Sequence, residues 1–113
     1  MHALIIEDES LIAMAIEDIL MECGFTSFDV EPSPETAIEA ASRRCPTLIT
    51  SDVQLRPGCG IETVRQICDV QLIPVIFITG NASEVLDRMP GTPVLTKPFT
   101  GNQLKEAVAV ALT

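Results

Sequence analysis

The chain of 113 residues contains no tryptophan or tyrosine, a single histidine, and no lysine or arginine among residues 1–40. It also lacks the roughly 18 consecutive apolar residues that a membrane-spanning helix needs, since even the run Leu72–Ile78, which Pro74 interrupts, has only seven residues. A secretory signal would require a basic segment before its apolar residues, and none precedes the first apolar residues of this chain. These absences argue against both a membrane protein and a secreted one, and we expect the chain to be cytoplasmic.

Basic residues are scarce overall, with seven lysines and arginines against sixteen acidic residues and a formal charge of −9. Ten of the acidic residues lie within residues 1–40. Nucleic acids and anionic membrane surfaces bind clustered positive charge, so we expect the protein to contact neither of them directly. The charge favours metal cations and basic partners instead.

The cysteines form no Cys-x-x-Cys pair. They are Cys23, Cys45, Cys59 and Cys68. Two disulfides would suit a small secreted protein, but 47% of the residues are hydrophobic and can build a core without them. We therefore expect free thiols. The length fits one domain, and we expect it to span residues 1–113.

Short apolar runs alternate with helical patterns along the whole chain. The predicted strands are Ala3–Ile6, Ser27–Val30, Leu48–Ser51, Val75–Ile78 and Val94–Thr96. The predicted helices are Leu11–Cys23, a helix capped by Ser33, Ile61–Asp69, Ser83–Met89 with Ser83 as its cap, and a last helix opened by a capping box of Thr100 and Gln103. Five strands and five helices in strict alternation predict an α/β fold. We expect a five-stranded parallel sheet in the flavodoxin-like order 2-1-3-4-5, with helices on both faces.

Polar side chains follow four of the predicted strands. They are Glu7 and Asp8, then Asp52, then Thr79, and finally Lys97. In open parallel sheets, ligands bind beyond the carboxyl ends of the strands, so we expect these residues to meet in one site. His2 lies before the first predicted strand, far from that edge, and we do not expect it to take part.

A cluster of three carboxylates needs more positive charge than one lysine supplies. Mg²⁺ suits oxygen ligands, and it commonly takes one or two carboxylates, backbone oxygens and several waters. The sequence therefore predicts a Mg²⁺ site. The predicted ligands are Glu7, Asp8, Asp52 and the backbone carbonyl of Gln54.

A carboxylate beside Mg²⁺ and a lysine can attack phosphorus and become an aspartyl phosphate. Asp52 stands alone at the end of the central predicted strand, and we expect it to be the nucleophile. Thr79 would donate its hydroxyl to one phosphoryl oxygen and Lys97 would pair with another. Gly80, directly after Thr79, would keep the approach open.

The whole chain resembles the receiver domain of two-component response regulators. The resemblance rests on four segments in this order: Leu4–Glu9 (LIIEDE), Ser51–Leu55 (SDVQL) followed by Gly60, Val75–Gly80 (VIFITG), and Thr96–Phe99 (TKPF). Val75–Thr79 and Leu95–Phe99 look most like receivers of the bacterial general stress response, the PhyR type, and related single-domain response regulators.

Several functional expectations follow from that resemblance. It implies phosphoryl transfer to Asp52 from a histidine kinase or a histidine phosphotransfer protein, and signalling by contact with a downstream protein target. It implies no enzymatic activity beyond the protein's own phosphorylation and dephosphorylation. It implies a cis peptide bond between Lys97 and Pro98. We expect a monomer or a weak dimer.

Two positions depart from the receiver pattern. Many receivers carry an aromatic residue three positions before the lysine, where this chain has Val94, so the usual threonine–aromatic switch is in doubt. A proline often follows the phosphorylated aspartate by four residues. Here that position is Arg56, and the proline is displaced to Pro57.

Three alternatives stay open. We expect a single-domain response regulator, but the chain could be a receiver cut from a larger regulator or hybrid kinase. It could be a receiver-like interaction domain that takes no phosphate, although the set of Asp8, Asp52, Thr79 and Lys97 argues against this. It could also be a flavodoxin-like FMN redox protein, although Glu7–Glu9 would repel the phosphate of the flavin.

Overall fold

A parallel sheet forms the centre of the molecule. A computed structural model describes residues 1–113. Its strands are β1 (His2–Ile6), β2 (Ser27–Glu31), β3 (Leu48–Ser51), β4 (Val75–Thr79) and β5 (Val94–Thr96), and its helices are α1 (Ser10–Glu22), α2 (Pro34–Arg43), α3 (Gly60–Cys68), α4 (Ala82–Arg88) and α5 (Gly101–Ala111). The strand order is β2-β1-β3-β4-β5, and all four pairings are parallel. The predicted fold class and strand order are confirmed.

Each central strand is apolar on both faces because helices cover both sides of the sheet. Successive side chains of a strand point to opposite faces. Leu4 and Ile6 of β1 therefore belong to the core shared with α2, α3 and α4, whereas Ala3 and Ile5 belong to the core shared with α1 and α5. This double burial explains why β1 and β4 appear in the sequence as short, mostly apolar runs, and why all four residues of β3 are buried although Thr50 and Ser51 are polar.

Capping residues fix where several helices begin. Ser33 accepts a hydrogen bond from the N–H of Thr36 at the start of α2, and the predicted capping box of Thr100 and Gln103 is present at the start of α5. Such caps satisfy N–H groups that have no partner within the helix.

The start of α4 differs from the prediction. The helix spans Ala82–Arg88 rather than Ser83–Met89, and its cap is Asn81 rather than Ser83. The side-chain oxygen of Asn81 accepts hydrogen bonds from both the N–H and the hydroxyl of Ser83. Because an asparagine at this position can satisfy the first free N–H groups, the helix begins one residue earlier. Helix α3 is likewise shifted by one residue, to Gly60–Cys68.

His2 was predicted to precede the first strand, and this was wrong. It is the first residue of β1 and is buried. Its Nδ1 lies 2.8 Å from Ser27 Oγ and its Nε2 lies 2.9 Å from Asp29 Oδ2, both on β2. A buried imidazole needs such partners for its two ring nitrogens. His2 stands at the amino end of the sheet, away from the predicted site.

All four cysteines are free thiols. None of the helices combines the length and the apolarity that crossing a lipid bilayer demands.

Candidate functional site

Beyond the end of each of three strands, the sheet forms one further backbone hydrogen bond. These bonds hold the backbone of three predicted site residues, Glu7, Asp52 and Lys97, in position. The additional bonds run from Glu7 N–H to Glu31 O (3.0 Å), from Asp52 N–H to Ile6 O (2.9 Å) and from Lys97 N–H to Thr79 O (2.8 Å). The parallel register therefore brings side chains from distant parts of the chain to one edge. The residues predicted at the strand ends do meet there.

Lys97 bridges two carboxylates at the centre of this edge. Its Nζ lies 2.9 Å from Glu7 Oε1 and 2.9 Å from Asp52 Oδ2. Burial by itself would lower the pKa of Lys97, but the hydrogen bonds to Glu7 and Asp52 outweigh it, so the pKa lies above its usual value. The lysine is therefore charged at neutral pH and points at Asp52.

Glu7 lies beneath the lysine, with its side chain only 1% exposed. While Oε1 accepts from Lys97, Oε2 accepts a hydrogen bond from the N–H of Glu9 at 3.1 Å. Burial raises the pKa of Glu7, and the hydrogen bonds from Lys97 and Glu9 oppose that rise without cancelling it. Glu7 thus already has a cation beside it.

Asp52 and Asp8 complete the acidic cluster. Oxygen atoms of Glu7, Asp8 and Asp52 all lie within 4.8 Å of one another. Asp52 is 7% exposed, and its Oδ1 accepts a hydrogen bond from the N–H of Gln54 at 3.3 Å. Asp8 is less buried, with 16% of its side chain exposed. A set made only of oxygen donors fits a hard divalent cation such as Mg²⁺.

The cleft above Asp52 is small and polar. Its volume is about 190 Å³, and none of the residues that line it is hydrophobic. Among them are Asp8, Asp52, Gln54, Thr79, Gly80 and Lys97. Thr79 is buried, and its Oγ1 accepts a hydrogen bond from the N–H of Asn81 at 3.2 Å, which leaves its own hydroxyl hydrogen free to point elsewhere. A larger groove of about 640 Å³ lies beside α3, but only one carboxylate, that of Asp69, lines it.

The loop after Asp52 adds a residue that the sequence analysis did not assign to the site. Arg56 lines the cleft, and its Nε lies 3.9 Å from Asp8 Oδ2. The signal was present in the sequence, because Arg56 occupies a position where receivers often have proline. The peptide bond between Lys97 and Pro98 is cis, as predicted, and the bond between Arg56 and Pro57 is cis as well.

The comparisons with known proteins agree with this geometry. The family model of the response regulator receiver domain matches residues 3–109. The phyllosphere-induced regulator PhyR of Methylorubrum extorquens is 34% identical over an alignment of 113 positions, which covers 96% of this chain and 42% of that protein.

Solved structures of similar proteins have the same fold. The receiver domain of the response regulator PhyR from Erythrobacter litoralis superposes with a TM-score of 0.91 at 35% identity, covering 98% of this chain and 88% of that one. The anti-anti-sigma factor PhyR from Bartonella quintana superposes with a TM-score of 0.86 at 34% identity, covering 98% of this chain and 46% of that one. The chain thus spans less than half the length of the PhyR proteins from Methylorubrum and Bartonella.

Proposed function

Since the chain belongs to the response regulator receiver domain family, we propose that Asp52 accepts a phosphoryl group and that the phosphorylated domain signals by protein contact. The observation that carries the proposal is the position of Lys97, whose Nζ bridges Asp52 and Glu7 at 2.9 Å each. Oxygen atoms of these two carboxylates and of Asp8 all lie within 4.8 Å of one another. This arrangement puts a fixed positive charge next to a carboxylate at the mouth of a polar cleft, where an incoming phosphate can be neutralised.

The proposed step forms a bond between a carboxylate oxygen of Asp52 and the phosphorus of the donor. The bond between phosphorus and the leaving nitrogen or oxygen of the donor breaks, and its electron pair leaves with that atom. Lys97 stays charged and pairs with one phosphoryl oxygen, and the hydroxyl of Thr79 donates to another. Gly80 leaves room for the donor, since no atom lies within 4 Å of where its Cβ would be.

The acidic cluster supports a Mg²⁺ ion as the cofactor of this step. Asp8 and Asp52 would bind it through their carboxylates, the backbone carbonyl of Gln54 would add a further oxygen, and Glu7 would complete the negative environment beneath them. When bound, the ion supplies positive charge that offsets the oxygens of the phosphoryl group. Lys97 alone cannot do this, because it already faces two carboxylates.

The donor we propose is a histidine kinase or a histidine phosphotransfer protein in the cytoplasm, and the downstream target is another protein. The Bartonella quintana relative is described as an anti-anti-sigma factor, which supports an output by protein contact. We propose that this domain works as a single-domain regulator whose only catalysis is its own phosphorylation and dephosphorylation. The charge of −9 supports basic protein partners over nucleic acid.

Incubation of the protein with acetyl phosphate and MgCl₂ tests the proposal. We expect intact-protein mass spectrometry to detect the mass gain of one phosphoryl group, and we expect EDTA to abolish it. Asp52→Asn should lose the gain, because an amide cannot act as the nucleophile. The control is Asp69→Asn, which makes the same change at an exposed residue after α3 and should be phosphorylated like the wild type.

Two results would contradict the proposal. One is a wild-type protein that gains no mass under these conditions. The other is a gain of equal size in Asp52→Asn, which would place the modification on another residue.

A further inference from the structure

The loop that carries Arg56 has a fixed backbone. Leu55 is buried in the core, and its N–H donates to the carbonyl of Gly58 at 3.1 Å. Gln54 forms an antiparallel bridge with Cys59. Gly58 has a φ of +117°, and a Cβ there would overlap the ring of Pro34. The chain is therefore held on both sides of Arg56.

The side chain of Arg56, in contrast, is almost free. It is 90% exposed, and its one ionic contact is the 3.9 Å approach of Nε to Asp8 Oδ2. A long contact at an exposed guanidinium is weak and is easily exchanged. Arg56 is thus a cation with a fixed attachment point and an exposed, weakly paired end at the mouth of the cleft.

The cleft needs a further cation to neutralise a phosphoryl group, because the other base that lines it already has two carboxylate partners. Lys97, the other base that lines it, is held by Glu7 and Asp52, and both contacts are 2.9 Å long. Asp8 has no partner except Arg56 among the positively charged residues. A metal ion bound to Asp8 would displace the guanidinium from that carboxylate, because two cations would then compete for the same oxygens.

We propose that Arg56 changes partners: it pairs with Asp8 in the metal-free protein and, once Asp8 binds Mg²⁺, it contacts the oxygens of the phosphoryl group at Asp52. The proposal rests on the proposed function. The planar guanidinium presents its N–H groups as a fork that matches phosphate oxygens, which an ammonium does not. Arg56 would therefore position the phosphoryl group and also weaken metal binding.

The test uses two probes that need no turnover. The first is Mg²⁺ alone, titrated into the metal-free protein at low and at high NaCl. The second is beryllofluoride, a stable mimic of a bound phosphoryl group, titrated at saturating Mg²⁺ and followed by thermal denaturation. The variants are Arg56→Gln and Arg56→Lys. The control is Arg44→Gln, which removes the same charge from an exposed residue after α2, at the opposite edge of the sheet.

Arg56→Gln should shift the two affinities in opposite directions. Loss of the exposed ion pair should tighten Mg²⁺ binding by about threefold at low salt, and high salt should remove the difference. Loss of hydrogen bonds to a charged group should weaken beryllofluoride binding by about tenfold. Arg44→Gln should leave both affinities at the wild-type values. Arg56→Lys should keep the wild-type Mg²⁺ affinity and still bind beryllofluoride more weakly.

Failure of this proposal can be told apart from failure of the proposed function. Wild-type protein that binds beryllofluoride, together with an Arg56→Gln variant that binds both probes equally well, would overturn the role of Arg56 alone. Equal shifts in Arg44→Gln would show that the effect depends only on net charge, and they would also overturn the role of Arg56. Wild-type protein that does not respond to beryllofluoride with Mg²⁺ would overturn the proposed function itself.

Discussion

Glu7 and Asp8 are neighbours in the chain, but the fold gives them different surroundings. Glu7 is buried beneath Lys97 and accepts hydrogen bonds through both of its oxygens. Asp8 lines the cleft, and its one positively charged partner is the exposed Arg56, whose Nε lies 3.9 Å from Asp8 Oδ2. The sequence predicted the same metal-binding role for both residues. The contacts place Glu7 against the lysine, whereas Asp8 lines the cleft, and we therefore expect Asp8 to contribute more than Glu7 to Mg²⁺ binding.

Burial of Glu7 predicts a pH-dependent effect of Glu7→Gln. Burial raises the pKa of Glu7 above its usual 4.5, so the folded protein holds this proton more tightly than the unfolded chain does. The contribution of Glu7 to stability is therefore fully present below pH 4.5 and is lost as the pH rises through the raised pKa. In EDTA, we expect Glu7→Gln to increase the free energy of unfolding relative to the wild type at pH 7. The increase should vanish at pH 4.

Urea denaturation at the two pH values measures this difference. Lys97 retains Asp52 as a partner in the variant, so the ammonium is not left alone. Glu106→Gln, at an exposed residue of α5, is the control and should show no such pH dependence. A variant less stable than the wild type at pH 7 would mean that the attraction of Lys97 outweighs the cost of burial.

Among the elements, α3 lies close against the backbone of Asp52, the proposed nucleophile. The helix begins at Gly60, whose N–H donates to the carbonyl of Val53, and this contact brings the helix end against the residues that follow β3. A Cβ on Gly60 would overlap the backbone carbonyl oxygen of Asp52 and contact Ser51 Oγ. The absence of a side chain is therefore what allows α3 to approach Asp52 so closely.

Gly60→Ala should destabilise the protein for this reason. Overpacking of this kind costs about 1–3 kcal/mol, and the backbone at Asp52 must move to relieve it. We expect a lower midpoint of urea denaturation and a slower phosphorylation by acetyl phosphate. Gly80→Ala is the matched control for stability alone, because no atom lies within 4 Å of its Cβ and its φ is not in the left-handed region. It does not control for the phosphorylation rate, since Gly80 lines the cleft. Equal stability of the two variants would contradict the close approach.

At the scale of the whole molecule, charge makes stability depend on cations. The formal charge is −9, and one part of that excess is concentrated in Glu7, Asp8 and Asp52 at a single edge of the sheet. The remaining acidic residues are mostly spread over the helix surfaces. A cation that binds only the folded cluster stabilises the fold by mass action.

Mg²⁺ should therefore raise the melting temperature. At a concentration ten times its dissociation constant, the gain is about 1.4 kcal/mol, or about 6 °C for a domain of this size. Differential scanning calorimetry with MgCl₂, compared with NaCl of equal ionic strength, separates binding from screening. Asp8→Asn should lose most of the shift. An equal rise with NaCl, or an undiminished one in Asp8→Asn, would contradict a metal site at this cluster.

The sequence by itself determined the fold and which residues lie at the carboxyl ends of the strands. Strand and helix periodicities are local properties of the chain, so the alternation of elements, the parallel sheet and the residues after each strand could be predicted from it. Helix ends were less certain, as Asn81 shows, because two adjacent polar residues can each cap a helix.

Only the tertiary structure decided which charged side chains pair with one another. Lys97 and Glu7 are separated by 90 positions in the chain, and their contact depends on the order and register of β1, β3, β4 and β5. The same holds for Arg56 and Asp8, which meet because the loop after Asp52 turns back on itself beside the cleft. A sequence pattern places a residue on an element, but which charge it faces depends on elements that are distant in the chain.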